Sequence, residues 1–381
     1  MIQRRIIATV LATTFAALAV PLAVPLATRI SPPVAAAAPV AGAVAPYRAV
    51  LPEPTGPYGI GTREVHLVDA RRADPWRPGK RRELMVSVWY PTRGIHRQFA
   101  PYAEPAVAPA LGAEMASLLR LPGDTVDLGG STTHARRHAK PCGRHPVLLY
   151  SPPSAVSRVI GTNQAEELAS RGYIVVTIDH TGEAPVEFPG GRVVGALLPW
   201  TAPGAVKKAT DTRVADVRFV LDSLPGLPRR LSHAMDLSRI GMYGYSMGGS
   251  TAASAMLVDR RIDAGVNLDG GMRDGERSSE VSRRGLDRPF LLVGGGAHSR
   301  STDPTWSSFW TVQRGWKQEL RLPDGGHGSF GDYQFTMPGL ARASGIDPSV
   351  LSEDLGTVSP EVSVAFTRHA LAGFFGRFLK P

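Results

Sequence analysis

The chain has almost no cysteine. Cys142 is the only one in 381 residues, so no disulfide can form within it and the fold must rest on an apolar core. With no second thiol or neighbouring base in sequence, Cys142 reads as a buried or idle thiol. Long runs of one charge are missing too. Lys and Arg number 43 against 33 Asp and Glu, a formal net charge of +10, yet the basic residues are scattered singles and pairs without interleaved aromatics. That pattern describes a solvated basic surface and excludes a nucleic-acid-binding role. Its expected attraction is a weak association with anionic cell-envelope polymers or lipid head groups. No His, Cys, Asp or Glu residues recur at metal-ligand spacing, and no phosphate-cradling loop is present. Val293-Gly294-Gly295-Gly296 lacks the Gly-x-Gly-x-x-Gly spacing of a dinucleotide site. Neither a metal nor an organic cofactor is therefore expected.

What the sequence does have starts at its N-terminus. Arg4 and Arg5 precede an apolar run from Ile6 to Ala27, and Ala-rich sequence follows, with small-x-small sites at Ala35-Ala36-Ala37 and Ala41-Gly42-Ala43. A positive start, an apolar middle and a small-residue cleavage site predict that residues 1–43 are a secretory signal peptide and that the mature chain is exported. A membrane anchor is the competing reading of so long a run; Pro21 and Pro25 inside it favour export with removal. Residues 44–61, rich in Pro, Gly and Ala, read as a leader, and residues 62–381 as one domain.

Within that domain, short apolar runs alternate with helical patterns. The runs are Glu64–Asp69, Leu84–Tyr90, Pro146–Ser151, Tyr173–Asp179, Arg239–Tyr245, Ala264–Asp269, Pro289–Gly294 and Glu319–Leu322. Consecutive Val, Ile and Leu in several of them predict strands buried on both faces. Helices are expected at Asn163–Arg171, Lys208–Leu224, Met247–Val258 and Val362–Phe378. Strands alternating with helices imply an α/β fold with a mostly parallel, eight-stranded sheet flanked by helices. Two stretches break the alternation, near 97–140 (with a helix expected at Pro109–Leu121) and 183–205, and read as insertions that supply lids or pocket walls.

Gly244-Tyr245-Ser246-Met247-Gly248 carries the chemistry. A Gly-x-Ser-x-Gly motif alone is weak, since composition gives about 0.3 chance occurrences in such a chain. Its position between the run ending at Tyr245 and the helix opening at Met247 adds the weight. A strand-to-helix turn that sharp lifts the serine hydroxyl above the sheet as a nucleophile, and the flanking glycines avoid collisions. The base must be a histidine within reach. His327, in the glycine-loosened loop after the last apolar run, has the expected chain order, with His298 as its rival. His369 is expected to pack on the apolar face of the last helix, His134, His138 and His145 to be solvated, and His180 to be structural. For the acid that orients the imidazole, the residues leave two candidates open: Asp269 at the tip of its strand, and Asp303 in the loop after the next.

Four segments resemble the platelet-activating-factor acetylhydrolase group and related bacterial secreted lipases and esterases of the α/β-hydrolase superfamily. They are Gly244-Tyr245-Ser246-Met247-Gly248-Gly249, Asn267-Leu268-Asp269, His327-Gly328-Ser329-Phe330-Gly331-Asp332 and Ala169-Ser170-Arg171-Gly172-Tyr173-Ile174-Val175. The likeness spans roughly residues 84–378 and implies Asp269 as the acid. Where that group has a His-Gly pair after the strand Pro146–Ser151, this chain has Pro152-Pro153. Proline has no N–H to give an oxyanion, so the matched donors are the N–H groups of Ser154 and Met247. The expected activity is hydrolysis of a carboxylic ester through a Ser246-His327-Asp269 triad and an acyl-enzyme. Short-chain acyl, lipid and polyester-like esters are the expected small-molecule partners. An amidase or peptidase uses the same triad, and Pro152-Pro153 motivates a third reading, a silent hydrolase fold used for binding.

Overall fold

Successive side chains of a strand point to opposite sides, so sequences such as Val147-Leu148-Leu149 and Ile174-Val175-Val176 require cover on both faces of the sheet. The computed structural model, which describes residues 45–380 apart from Ile95 and Glu276, shows how that cover is provided. The expected signal peptide, residues 1–43, lies outside the described residues.

The first strands are β1 (Gly59–Ala73), β2 (Arg81–Thr92), β3 (Phe99–Pro101), β4 (Thr132–Arg137), β5 (His145–Ser151) and β6 (Ile174–Asp179). A hairpin of β7 (Val186–Phe188) and β8 (Arg192–Val194) precedes β9 (Met235–Tyr245) and β10 (Ala264–Leu268). A second small hairpin, β11 (Arg273–Asp274) and β12 (Arg277–Ser278), leads to β13 (Phe290–Gly295) and β14 (Lys317–Leu322). Helices α1 (Ala108–Ser117), α2 (Thr162–Ser170), α3 (Ala205–Ser223), α4 (Arg229–Ala234) and α5 (Met247–Val258) lie between them. After these come α6 (Glu280–Arg284), α7 (Pro304–Val312), α8 (Tyr333–Ala343), α9 (Ser352–Leu355) and α10 (Pro360–Phe378).

The main sheet runs β14-β13-β10-β9-β5-β6-β2-β1-β4-β3. Every pair from β14 to β6 is parallel, whereas β2 lies antiparallel to both β6 and β1. This is the expected mostly parallel architecture, but with ten strands rather than eight. The two extra strands come from the 97–140 insertion. Its Thr/His/Arg segment is β4, in which Thr133 and Ala135 are buried and His134 between them faces partly outward. A strand near a sheet edge needs only one apolar face, so its polar composition concealed it.

One face of the sheet buries Val86, Val88, Val147, Leu149, Val176 and Met242 with α3 and α5 residues such as Val217, Val220 and Met256. The other buries Leu148, Tyr150, Val175, Tyr243, Val266 and Val293 against α2 and the Phe374-Phe375 pair of α10. Each such fully buried aliphatic side chain contributes about 1.5–3 kcal/mol, so the central strands are the rigid part of the molecule. Residues from Tyr47 onward form one compact unit. Part of the stretch expected as a leader is packed within it: Ala49 and Leu51 join a third cluster with Leu111 and Met115 of α1 and Leu340 of α8. In the 183–205 insertion, Val186 and Phe188 pack on Met85, while Val193 and Leu197 are exposed.

Candidate active site

β9 stops at Tyr245 and α5 begins at Met247, so Ser246 alone turns the chain. Its backbone has φ 57° and ψ −125°, a left-handed φ that costs a non-glycine residue on the order of 1–3 kcal/mol. The surroundings hold it there. Ser246 N–H donates to the Leu268 carbonyl of the neighbouring strand at 2.8 Å, and Gly249 N–H donates to the Ser246 carbonyl at 2.9 Å. No side chain fits beside the turn. A Cβ on Gly244 would lie 2.2 Å from the Gly248 backbone, and one on Gly248 would lie 1.9 Å from the Ser151 carbonyl oxygen.

Asp269 follows β10 directly and also has φ 57°. With Ala155, these are three of the five non-glycine residues of positive φ among the described residues, and all three follow ends of the central strands. The Asp269 carboxylate accepts from Gly295 N–H at 2.7 Å and from His327 Nδ1 at 2.6 Å. Burial pushes this carboxyl up, but hydrogen bonds from His298 and His327 outweigh it and hold it at about 2. An ionised carboxylate only accepts, so the His327 proton sits on Nδ1. Nε2 is then an acceptor, 3.0 Å from Ser246 Oγ, and the serine hydroxyl donates to it. The loop carrying His327 is tied on both sides. Ser329 Oγ donates to the Leu355 carbonyl at 2.7 Å, and Gln164 Nε2 donates to the Phe330 carbonyl at 2.7 Å. Buried Asp332 accepts from the Tyr102 hydroxyl at 2.9 Å.

The structure thus brings Ser246, His327 and Asp269 together. The two rivals, His298 and Asp303, lie behind Asp269 instead of beside the serine. His298 Nδ1 is 3.2 Å from Asp269 Oδ1, and its Nε2 is 3.1 Å from Asp303 Oδ2. Asp303 caps α7 by accepting from Thr305 N–H at 2.7 Å, and also accepts from Arg273 at 3.3 Å. That cap was legible: an Asp-Pro pair opening an amphipathic stretch is a helix start.

The two candidate oxyanion donors, the N–H groups of Met247 and Ser154, donate to no acceptor among the described residues. Pro152 and Pro153 contribute carbonyls rather than donors. Both are held by Arg213 of α3, at 2.6 and 3.0 Å, and Arg213 is paired in turn with Glu183 at 2.8 and 2.6 Å. Next to it runs a second, fully buried chain. Ser151 Oγ donates to His180 Nε2 at 3.0 Å, His180 Nδ1 donates to Asp216 at 3.0 Å, and Arg82 clamps Asp216 at 3.0 and 2.6 Å. Burial and the Arg213 charge push the His180 imidazole down, so it stays neutral. The sequence reading missed Arg213 and Asp216. Their signal was two charged residues in phase with the apolar stripe of Val217 and Val220.

Other histidines depart from expectation. His134 is half-buried on Glu166 at 2.9 Å, His145 is half-buried between the Gly172 and Cys142 carbonyls, and His369 is exposed rather than packed. Cys142 is a half-buried free thiol. Among the described residues, no group of three His, Cys, Asp or Glu side chains is placed to hold a metal ion.

No protein-family model matches the chain. It is 32% identical over 353 residues, 85% of each sequence, to a probable 1-alkyl-2-acetylglycerophosphocholine esterase of Arthroderma benhamiae. It is 21% identical over 250 residues to a platelet-activating factor acetylhydrolase of Cavia porcellus, covering 58% of this chain and 55% of that one. A solved ferulic acid esterase from Streptomyces cinnamoneus superposes with a TM-score of 0.73 at 38% identity, over 87% of this chain and 93% of that one. An α/β sheet of this topology and relatives of this similarity make the chain a carboxylic ester hydrolase, and it belongs to the platelet-activating-factor acetylhydrolase-like esterases of the α/β-hydrolase fold.

Proposed function

We propose that Ser246, His327 and Asp269 hydrolyse the ester in two steps. The observation that carries this is His327, which reaches Ser246 Oγ with one ring nitrogen at 3.0 Å and Asp269 with the other at 2.6 Å. As the Oγ–carbon bond forms, the hydroxyl proton passes to Nε2 and the carbonyl electron pair moves onto oxygen. The N–H groups of Met247 and Ser154 accept that oxyanion's charge as hydrogen-bond donors. Collapse expels the alcohol, which takes the proton from His327. Water, deprotonated by the same nitrogen, then releases the acid and frees Ser246. Asp269 stays ionised throughout and stabilises the imidazolium.

The substrates proposed are carboxylic esters of short acyl groups, on lipid, aryl or polyester-like alcohols. Support comes from the acetyl-ester and ferulic-ester names of the relatives. Export is proposed from the residues 1–43 pattern, and the +7 charge left after cleavage there suits weak attachment to an anionic envelope. A chromogenic acetyl ester and a fluorophosphonate probe test the chemistry. Turnover and labelling are expected in the wild type and neither in Ser246→Ala; turnover surviving that substitution would overturn the assignment. Competition between 1-alkyl-2-acetylglycerophosphocholine and methyl ferulate orders the substrate classes.

A further inference from the structure

Both ring nitrogens of His298 face carboxylate oxygens, Asp269 at 3.2 Å and Asp303 at 3.1 Å. A neutral imidazole carries one N–H and satisfies only one of them; two donations require the doubly protonated ring. The ring is fixed in this arrangement. Trp306, fully buried, lies against it with centroids 4.2 Å apart and 31° between planes, a favourable setting for a cation. Trp306 is itself tied by Nε1–H to the Gly270 carbonyl at 2.7 Å. The backbone that carries the ring is also closely packed, since a Cβ on Gly294 would sit 2.1 Å from the His298 carbonyl oxygen.

We propose that His298 is a positioning residue that holds a fixed positive charge behind Asp269, so that Ser246, His327, Asp269, His298 and Asp303 act as one hydrogen-bonded chain that sets how tightly His327 keeps its proton. This rests on the triad reading above. The charged groups facing His298 are Asp269 from the tip of β10 and Asp303 from the start of α7. Arg273 lies on the far side of Asp303, and His327 on the far side of Asp269. On its own segment, Arg300 is engaged with Glu319. Asp354 of α9 lies within electrostatic reach of His327. Burial opposes charging the ring, but the two carboxylates outweigh it and push His298 up to about 9. A cation there offsets part of the Asp269 charge, which lowers the hold of His327 on its own proton and keeps it available as a base near neutrality. Once His298 loses a proton, one ring nitrogen confronts a carboxylate as acceptor against acceptor, and Asp269 loses its fixed orientation.

The test is the pH profile of kcat/KM for the acetyl ester, measured on the full chain, the wild type beside His298→Gln and Asp303→Asn. Removing the cation should move the acid limb of His298→Gln up by about 0.5–1 pH unit. Asp303→Asn leaves His298 with a single carboxylate, which a singly protonated ring satisfies, so its acid limb should also move up, by less. The wild type should also lose activity on the alkaline side near 9, and His298→Gln should lack that limb. A purely structural His298 would lower stability and leave both limbs in place. Unchanged limbs in either soluble variant overturn the inference. So does a wild-type profile flat through pH 9, a measurement that needs no variant to fold. Turnover abolished in Ser246→Ala together with unmoved limbs in His298→Gln removes this inference alone; turnover retained in Ser246→Ala removes the triad with it.

Discussion

Arg213 donates to the Pro152 carbonyl oxygen at 2.6 Å from a side chain with no solvent exposure. This bond, and its companion to Pro153, orients a loop whose prolines cannot donate to an oxyanion themselves. Arg213→Gln should therefore act twice. It leaves Glu183 charged, buried and unpaired, which costs about 3–5 kcal/mol of stability, and it releases Ser154 N–H, with a loss on the order of 10² in kcat. Urea unfolding and acetyl-ester kinetics read the two effects. Arg213→Gln combined with Glu183→Gln should recover stability but not kcat.

Asp269 and Asp303 are both carboxylates on His298, and only Asp269 touches His327. Asp269→Asn replaces an acceptor with a group that also donates, which favours the wrong tautomer of His327, and should lower kcat on the order of 10⁴ with the fold retained. Asp303→Asn should cost less than about tenfold at the optimum pH, because it acts at one remove. Equal losses in the two variants would count against the order of the chain.

Gly248 has no room for a side chain. The atom it would strike, the Ser151 carbonyl oxygen at 1.9 Å, is backbone of β5, which is fixed between β6 and β9. Gly248→Ala should cost more than about 3 kcal/mol, as overpacking against immovable atoms does at its upper end. Thermal unfolding of the variant checks this.

Stability should depend on pH in two windows. Asp269, held at about 2 against an ordinary 3.8, contributes on the order of 2 kcal/mol above about pH 4, lost as pH falls towards 2. His298 is raised from 6.5 to about 9. Its contribution, about 3 kcal/mol, is complete below about pH 6.5 and disappears as pH rises through 9. Urea midpoints should fall across that alkaline window in the wild type, and the fall should be missing in His298→Gln.

The parts of the fold legible in the sequence were those fixed by local chemistry. Val and Ile runs marked the buried strands, and the helix at Met247–Val258 has the expected ends because a glycine-flanked turn opens it. The helix at Pro304–Val312 was missed although Asp303 and Pro304 announce it. The helix at Tyr333–Ala343 was missed because Pro338 interrupts its interior. Of the site, the serine and both histidines were visible as candidates, but residue patterns alone left Asp269 and Asp303 undecided. That choice is tertiary: it depends on which strand end lies next to β9, and β10 does. The link from His298 to Asp269 spans 29 positions, and no local pattern encodes such a distance.

The groups proposed to react hang from separate strands: Ser154 follows β5, Ser246 follows β9, Asp269 follows β10 and His327 follows β14. A one-residue slip between neighbouring strands would turn a whole set of side chains to the opposite face and carry one of these groups out of reach of the others. A partly registered chain therefore has no reduced form of this chemistry, and the first turnover from a refolding sample reports that the whole central sheet has found its alignment.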